Sequence, residues 1–314
     1  QFIKNEKLRR AFSIPPLLVG GNPFTTTCIY SLIHYLERAH GVFFVMGGTG
    51  KIVLELGRLL NSIGVNIRLN TTIEKIKFDN LKINEIIDNY GKSHKADVYI
   101  SNMDPLYLYK NLINKKSNSS LYFKKNFSKT SMGLFVLFFG TKRKYNNIKH
   151  HTIIFGKEYK VLLEKIFNGN ELPNDISIYL HRPTATDKSF APKNCDSFYA
   201  LVPVPNLKSD IDWKKNSNIF KDHIIEILSK KVLPGLKKNI VDEFFMSPQD
   251  FQNDYLSHQG SGFSVAPYFT QSAWFRFHNK SETIKNLYLV GAGTHPGAGI
   301  PGVLSSAKVI ERII

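Results

Sequence analysis

The sequence predicts a mixed α/β fold in which one domain is assembled from separated segments and a second domain is inserted between them. Two stretches combine helical and strand periodicity as an α/β layer does, Gly47–Asn102 and Asn286–Ile314. The long middle holds several strand-like runs and no internal repeat. With 314 residues, the chain is long enough for two domains.

A helix and an apolar strand are predicted ahead of the main helix of the first stretch. Leu32–His40 carries apolar residues at helical spacing, and the apolar run Gly41–Met46 leads into a Gly–Gly–Thr turn. After that turn, apolar residues again recur at helical spacing. We therefore expect a second helix there, with Thr49 as its N-cap and Gly64 just beyond its last turn.

Strands are predicted to follow this second helix. Val65–Asn70 alternates apolar and polar residues, which is typical of a half-buried strand. Further short strands are separated by turns at Asp79–Asn80 and Asn89–Gly91. Gly47–Asn102 is thus predicted to be one compact piece that packs with Asn286–Ile314, because each leaves an apolar face open.

The middle of the chain is predicted to be richer in strands. Pro105–Lys129 is basic and polar with interspersed aromatic residues, which fits either a membrane-touching amphipathic segment or a solvated helix and loop. Strands are predicted at Ser131–Gly140 and in the runs ISIYLHRP and SFYALVPVP. Phe220–Leu233 is predicted to be an amphipathic helix that ends before Pro234–Gly235.

The charge of the chain suggests an anionic partner. The formal net charge is +17, which favours an anionic membrane surface or a phosphate-bearing ligand, although lysines scattered over a solvated surface would give the same total. No helix-turn-helix or other reading motif accompanies the lysines, so nucleic acid is not predicted as a partner. The apolar run Met132–Gly140 is far shorter than the roughly 20 residues that a membrane helix needs.

The two cysteines, Cys28 and Cys195, lie far apart and show no metal-type spacing, so no metal site is predicted. They fit a reducing compartment, and no signal peptide is visible. The expected location is the cytoplasm, at the inner face of the cell membrane and peripherally attached to it.

The C-terminal stretch NLYLVGAGTHPGAGIPGVLSSAKVIERII carries the strongest chemical signal. A buried strand runs into five glycines and two prolines, and an amphipathic helix leaves them with Pro301 near its first turn. Such a strand-to-helix turn presents backbone N–H groups and the positive end of a helix to an anion. A tight structural turn would give the same spacing. His295 is interpreted as an orienting hydrogen-bonding residue rather than a catalytic one.

The residues of this stretch resemble the C-terminal signature of the bacterial and fungal type of phytoene desaturase. Further segments are similar to that family in the same order along nearly the whole chain, namely LLVGGNPF, IYSLIHYLERAHGVFFVMGGTG, SMGLFVLFFG and TQSAWFRFHN. The resemblance implies a fold like that of amine oxidases, with an FAD domain in separated segments and a substrate domain. It implies the cofactor FAD and stepwise removal of hydrogen from phytoene, towards lycopene.

The resemblance also implies which residues meet the cofactor. Gly291, Ala292 and Gly293 would lie by the FAD phosphates and ribityl chain. Gly299, Ile300, Pro301, Gly302 and Val303 would lie at the flavin ring, where the helix end would stabilise charge on the reduced flavin. The backbone of Ile73 would meet the adenine. Phe43, Phe44 and Trp274 would line a substrate tunnel or pack in an ordinary core. The resemblance assigns no catalytic acid or base.

The sequence departs from the family in three ways. Members begin with a strand and a GxGxxG turn that grip the FAD pyrophosphate, and neither is recognisable here, so the chain resembles the C-terminal two-thirds of a desaturase. Ala266 stands where a glutamate is usual, and Phe277 where a proline is usual. We expect weak FAD binding by this chain alone, because the lost charge-assisted hydrogen bonds are each worth about 1.5–3 kcal/mol.

The expected domains follow from the family pattern. Residues 1–43 would face the substrate or membrane, 44–104 and 281–314 would belong to the FAD domain, and 105–280 would form the substrate domain. Phytoene or a related carotenoid, a membrane surface and either oxygen or a quinone are the expected partners. Two alternatives stay open: a family member acting on another isoprenoid, as a diapophytoene desaturase or a carotenoid isomerase would, and a folded remnant without catalysis.

Overall fold

The structure, a computed structural model, describes residues 3–113 and 118–314. The helices are α1 (Glu6–Phe12), α2 (Ile14–Leu17), α3 (Leu32–His40), α4 (Thr49–Ser62), α5 (Pro105–Tyr107), α6 (Ser119–Phe127), α7 (Tyr159–Asn168), α8 (Trp213–Lys231), α9 (Leu236–Asn239), α10 (Pro248–Tyr255) and α11 (Ile300–Glu311). The strands are β1 (Ile73–Asp79), β2 (Lys82–Asp88), β3 (Ser93–His94), β4 (Tyr99–Ser101), β5 (Gly133–Thr141), β6 (His151–Ile154), β7 (Ile178–His181), β8 (Asp196–Val204), β9 (Ile240–Met246) and β10 (Leu287–Leu289). The mixed α/β class that the sequence predicts is confirmed.

The described residues group into two compact units, each made from separated parts of the chain. The first unit takes the described residues of Gln1–Gly41, Arg68–Met132 and Gln252–Ile314. The second takes Val42–Ile67 and Gly133–Phe251. Both units therefore depend on long-range contacts, because neither is continuous in sequence.

Two small sheets organise the first unit. Strands β1, β2 and β3 form an antiparallel sheet, and the turn between β1 and β2 has Asn80 at φ +50°. Strands β4 and β10 pair in parallel, with Leu287 opposite Tyr99. Asn286, just before β10, accepts a hydrogen bond from the Ile83 N–H at 2.8 Å and donates one to the Ile83 carbonyl at 3.0 Å. This side chain ties the two sheets together.

The first unit has one apolar core around these strands. Its buried members come from β2, β4, α5 and the π turn after it, α6, the segment that leads into β10, and β10 itself: Ile83, Tyr99, Leu106, Leu108, Tyr109, Ile113, Leu121, Val265, Phe277, Ile284, Leu287 and Leu289. The predicted link between the two α/β stretches is confirmed for their strands, since β4 and β10 pair and share this core. It is wrong for α4, because the residues up to Ile67 belong to the second unit.

A five-stranded antiparallel sheet in the order β6–β7–β8–β5–β9 organises the second unit. Strand β8 alternates buried and half-buried side chains along its length. Its buried set, with Phe135 and Leu137 of β5, packs against Phe220, Ile224 and Leu228 of α8. One face of the sheet is thus filled by a helix, and the other carries partly exposed side chains.

Most predicted elements are confirmed, and a few have different ends. Helix α3 has the predicted bounds, and Gly64 follows α4 with φ +83°, as expected of a residue just past a helix. Strands β5, β7 and β8 lie inside the predicted runs or shifted by one or two residues. Helix α8 starts at Trp213, earlier than predicted, because the Asp212 carboxylate caps it by accepting from the Lys215 N–H at 3.3 Å.

Two predicted strands are wrong. Gly41–Met46 and Val65–Asn70 are irregular, and no strand in the described ranges pairs with either. Without a partner strand, an alternating pattern gains no ladder of hydrogen bonds. The N–H of Gly47 is instead bound by the Asp187 carboxylate at 2.8 Å. Thr49 is the first residue of α4 rather than its N-cap, which is Gly48 at φ +84°.

The boundaries of the two units differ from the four predicted domain segments. Helix α4, predicted for the cofactor domain, has its contacts in the second unit, whereas the strands from Arg68 onward belong to the first. The four predicted domain segments rest on where the cofactor is expected to bind, so they remain a prediction.

Part of the predicted basic segment, residues 114–117, lies outside the described residues. Among the helices that the structure describes, none combines the length and apolar character needed to cross a bilayer.

Candidate functional site

The glycine-rich turn begins where buried strand β10 ends. The Val290 N–H continues the pairing with β4 by donating to the Ser101 carbonyl at 2.9 Å. Gly291 then takes φ +106°, a conformation that other residues rarely adopt. Its N–H donates to the buried hydroxyl of Ser306 in α11 at 3.0 Å. The strand end and the helix are therefore joined directly by one side chain.

Three glycines of the turn are required because the chain approaches itself closely. A Cβ on Gly291 would lie 2.4 Å from the Asn102 amide nitrogen, and one on Gly293 would lie 2.3 Å from the Pro105 ring. A Cβ on Gly302 would lie 2.7 Å from the carbonyl oxygen of Gly297. Packing within the first unit thus explains these glycines, and a bound ligand is not needed to account for them.

Buried Arg276 holds the turn from behind. Its guanidinium donates to the carbonyl oxygens of Ala292 at 2.5 Å, Thr294 at 3.1 Å, Val265 at 3.1 Å and Gln271 at 3.4 Å. Burial lowers the pKa of Arg276 to about 10, so the group stays charged at neutral pH. Because these acceptors are carbonyls and not carboxylates, the turn carries a fixed positive charge beneath it.

Hydrogen bonds also fix the segment between the two halves of the turn, around Thr294 and His295. The Thr294 hydroxyl donates to the Gly291 carbonyl at 2.9 Å, and the His295 N–H donates to the Phe277 carbonyl at 3.0 Å. The peptide bond from His295 to Pro296 is cis. The Nδ1 atom of His295 is buried and has no hydrogen-bond partner among the described residues. The hydrogen bond to Phe277 is made by the backbone of His295, so the orienting role predicted for its side chain stays a prediction.

The start of helix α11 is open. Gly299 is its N-cap at φ +94°, and a Cβ built there would meet no atom within 4 Å. Gly299, Ile300 and Pro301 are exposed, and Gly302 and Val303 are half-buried. The first turn of a helix has N–H groups without partners inside the helix, and Pro301 has no N–H to leave unpaired. This end can accept a flat, partly anionic group against its backbone.

The predicted cofactor residues therefore fall into two sets. The structure brings Gly291–Gly293 and Gly299–Val303 together at one end of β10 and α11, through the bond from Gly291 to Ser306. Ile73 lies apart from them at the start of β1, in the other sheet of the same unit, and is half-buried.

A group of titratable side chains lies beside the turn and carries no sequence signal. The Asp104 carboxylate caps α5 by accepting from the Leu106 N–H at 2.8 Å, and burial raises its pKa. Lys110 Nζ lies 3.0 Å from His258 Nε2, and burial, with the charge of Lys110, lowers the pKa of His258 to about 4. Pro105, which contacts Gly293, directly follows Asp104. A buried carboxyl with a raised pKa is thus next to the glycine turn.

The partly exposed face of the five-stranded sheet in the second unit carries a row of rings. Phe244 stacks on Phe138 with ring centroids 4.6 Å apart, and Phe138 lies 5.7 Å from Tyr199. Tyr199 lies 4.6 Å from His181, and His181 lies 5.5 Å from His151. These five residues are opposite one another in register across β9, β5, β8, β7 and β6. The row forms one continuous, mostly aromatic surface.

The predicted tunnel residues have different surroundings. Phe44 packs edge-on against the His150 ring at 4.5 Å and lies 6.1 Å from Phe190, all within the second unit. Phe43 is 87% exposed. Trp274 belongs to the first unit, is 76% exposed and contacts His278 at 4.6 Å. Only Phe44 adjoins the aromatic row.

Sequence reasoning missed Arg276, Asn102 and Ser306, which shape the turn from separate parts of the chain. Arg276 lies in TQSAWFRFHN, a segment that resembled the family, and that resemblance was the one available signal. No local spacing links any of the three to the glycines, because they are about 15 to 190 residues away.

Residues 1–309 match the family described as flavin containing amine oxidoreductase, and the chain belongs to that family. The chain is 44% identical to a lycopene-forming phytoene desaturase of Pseudescherichia vulneris and 43% identical to that of Pantoea ananas, along its whole length in both cases. It spans 64% of the length of each of these relatives. The resemblance drawn from the sequence is confirmed.

Solved structures show the same fold. An oxidoreductase from Methanosarcina mazei superposes with a TM-score of 0.68 at 18% identity, covering 98% of this chain and 65% of that one. Cyclohexylamine oxidase from Brevibacterium oxydans superposes with a TM-score of 0.55 at 12% identity, covering 99% and 66%. At such identities, the likeness shows the fold and does not identify a substrate.

Proposed function

We propose that the protein to which this chain belongs is an FAD-dependent desaturase that removes hydrogen from phytoene, towards lycopene. The observation that carries the proposal is the identity of 43–44% over the whole chain to lycopene-forming phytoene desaturases. A 4,4'-diapophytoene desaturase of Methylomonas is 30% identical over the same length. Phytoene is therefore favoured over the shorter isoprenoid.

The glycine turn and the start of α11 fit the flavin part of the cofactor. Gly299–Pro301 are exposed, no atom lies within 4 Å of a Cβ built on Gly299, and the positive helix end is open. Gly299–Val303 would hold the flavin ring, Gly291–Gly293 the phosphates and ribityl chain, and the backbone of Ile73 the adenine. When bound, FAD supplies the acceptor for a hydride.

The chain's own contribution at this site is electrostatic and geometric. The start of α11 and the fixed positive charge of Arg276 favour an extra electron pair on the group bound there. Arg276 acts through the carbonyls of Ala292 and Thr294, which it keeps in place. The buried carboxyl of Asp104 adds a group whose pKa is raised by burial near the turn.

The aromatic row of the second unit is our proposed contact surface for the polyene. Phe244, Phe138 and Tyr199 present stacked rings on the face of the sheet that α8 does not cover. A polyene is apolar and flat, so ring faces would bind it through dispersion and apolar burial. This surface needs no charged side chain to recognise the hydrocarbon.

We also propose a membrane surface as the source of substrate and the cytoplasmic face of the cell membrane as the location. Phytoene is too apolar to cross water, and the net charge of +17 favours an anionic bilayer. Exposed aromatic side chains occur on α6 and on the 3₁₀ turns near residue 270: Tyr122, Phe123, Phe127, Phe269, Trp274 and Phe275. Lys124 connects these two parts by donating to the Arg276 carbonyl at 3.0 Å. Oxygen or a quinone would reoxidise the flavin.

Expression of the complete reading frame in a phytoene-accumulating bacterium tests the proposal. We expect phytoene to disappear and coloured polyenes to form, with lycopene identified by chromatography and its absorption spectrum. A variant with Phe138→Ser and Phe244→Ser should leave the protein yellow with flavin but slow pigment formation. A folded protein that carries no flavin and leaves phytoene intact would contradict the proposal. It would support the alternative of a folded remnant without catalysis.

A further inference from the structure

Three histidines converge at one edge of the sheet in the second unit. His151 of β6 lies directly opposite His181 of β7 in the antiparallel register, so both side chains are on the same face. His150 stands at a bend just before β6, which turns its ring to that face as well. The Nε2 atoms of His150 and His181 are 2.8 Å apart, and one ring nitrogen of each histidine lies within 4.8 Å of the other two.

Two of the rings are oriented by hydroxyl groups on their far side. His150 Nδ1 is hydrogen-bonded to the Thr186 hydroxyl, and His151 Nδ1 lies 2.6 Å from the Tyr179 hydroxyl. When these nitrogens carry the proton, the Nε2 atoms of both rings present a lone pair, and that of His150 accepts from His181 Nε2 at 2.8 Å, a bond that a bound ion would replace. Histidines that bind a metal are usually held in this way, through a hydrogen bond from the other ring nitrogen.

The third ring, that of His181, has the most strongly lowered pKa of the three. Burial, followed by the neighbouring His150 and His151, lowers the pKa of His181 to about 4, and burial also lowers the pKa of the other two. Burial thus favours the neutral form of all three rings, which is the form that binds a metal. His181 Nδ1 is buried and has no partner among the described residues, so the ring is only partly satisfied by the contact with His150.

We propose that His150, His151 and His181 form a binding site for a divalent transition-metal ion of the class that imidazole prefers, represented by Zn²⁺. Imidazole ligands suit Zn²⁺, Cu²⁺ and Ni²⁺ and are poor ligands for Mg²⁺ or Ca²⁺. The histidines belong to the second unit and the glycine turn to the first, and the proposal does not depend on the proposed desaturase activity. We assign the ion no redox step.

The geometry needs only local adjustment to accept such an ion. With Zn–N distances of about 2.0–2.1 Å, tetrahedral ligand nitrogens lie about 3.3 Å apart. The His150–His181 pair would open slightly from 2.8 Å, and the other two pairs, which lie within 4.8 Å, would adjust towards the same spacing. His151 is exposed and can turn without disturbing a core. Three protein ligands leave a fourth position for water or an anion.

The surroundings limit the affinity. A cavity of about 400 Å³ beside His150 is lined by Lys144, Lys149 and Lys188, whose charges oppose a cation. Arg182 lines it too, but it is neutralised by Asp196, 3.0 Å away. We therefore expect a micromolar rather than a nanomolar dissociation constant for Zn²⁺, with discrimination against Mg²⁺. The same lysines favour an anion in the fourth position.

Zn²⁺ titration of the untagged, chelator-treated product of the complete reading frame tests the site. By calorimetry we expect one Zn²⁺ per chain and no heat with Mg²⁺, and with Co²⁺ the visible absorption of a four-coordinate complex. His151→Asn should weaken Zn²⁺ binding at least tenfold, whereas His40→Asn, at an exposed histidine of α3, should leave it unchanged. Far-UV circular dichroism checks that each variant is folded.

A second variant tests the orientation of His150 without removing a metal ligand. Thr186→Val removes the hydroxyl that orients His150 and should weaken Zn²⁺ binding several-fold, without removing a ligand. The proposal is overturned if the chain takes up no Zn²⁺, or if folded His151→Asn binds it as tightly as the original chain does. Binding of inorganic phosphate in place of Zn²⁺, with no response to the histidine variants, would assign the region to the lysines instead and also overturn it.

Discussion

The guanidinium of Arg276 donates to the carbonyl oxygen of Ala292 at 2.5 Å, and this bond joins a segment before β10 to the glycine turn after it. Arg276 is 3% exposed and contacts three further carbonyls. A charged group so deeply buried is usually paired with a carboxylate. Here backbone carbonyls take that place, so the arginine both satisfies the turn and leaves it positively charged.

Replacing Arg276 should therefore destabilise the first unit. Arg276→Met keeps much of the side-chain volume but leaves buried carbonyl oxygens without donors, each of which costs about 1–3 kcal/mol. We expect the free energy of unfolding to fall by at least about 3 kcal/mol, measured by urea denaturation. Arg38→Met, at an exposed arginine of α3, is the control and should change it by less than about 0.5 kcal/mol. Equal effects of the two variants would contradict the role of Arg276.

The glycine at 293 should not tolerate even a methyl group. Gly293→Ala would place its Cβ 2.3 Å from the Pro105 ring and 2.6 Å from the Ser264 hydroxyl. We expect a loss of about 1–3 kcal/mol in the free energy of unfolding. Gly57→Ala, inside α4, meets no atom within 4 Å and should instead gain about 0.5–1 kcal/mol from helix propensity. An unchanged free energy of unfolding in Gly293→Ala would show that the turn has room for a methyl group at this position.

The unfolding of the chain should depend on pH through His258. Its pKa is about 4 in the folded chain because of burial and the neighbouring Lys110, and it rises to about 6.5 on unfolding. Between these values the unfolded state binds more protons, so this contribution to stability is present above pH 6.5 and is lost as the pH falls to 4. His258→Gln should flatten the loss of stability over this range in urea titrations. His40→Gln, at an exposed site, should keep the original slope.

A charge at the start of α11 should act on the flavin without disturbing the fold. Ile300 is 56% exposed, so Ile300→Glu and Ile300→Gln are matched in size and differ in charge. In the complete FAD-loaded protein we expect the glutamate variant to have the lower flavin reduction potential, because a carboxylate opposes negative charge on the reduced ring. Identical potentials would place the flavin elsewhere. Gly302→Glu is a poorer test, since its Cβ would lie 2.7 Å from the Gly297 carbonyl and would distort the turn by itself.

Membrane attachment should be reversible and depend on one exposed aromatic residue. We expect the chain to sediment with anionic liposomes at low salt and to be released as salt rises. Trp274 is 76% exposed, and Trp274→Ser should reduce binding several-fold because an indole ring favours the bilayer interface. Tyr90→Ser, at a 72% exposed ring in a tight turn, is the control. Recovery in the supernatant regardless of liposomes would exclude this attachment.

The sequence by itself determined the elements whose signals are local. Helix α3 and the start and end of the strand–turn–helix at the C-terminus follow from apolar spacing, glycines and Pro301, since these residues act on the backbone of their immediate neighbours. The resemblance carried by those same glycines also led to the family. It predicted the two sets of cofactor residues that the fold brings together at α11, although their contact with FAD is still a prediction.

The tertiary structure decided what depends on distant partners. Val65–Asn70 alternates like a strand yet forms none, because a strand needs a neighbour to bond. Arg276 beneath the turn and the three histidines at the edge of β6 and β7 come together only through sheet register and long-range packing. Local residue spacing does not predict such contacts, because they depend on which strands are neighbours in the sheet.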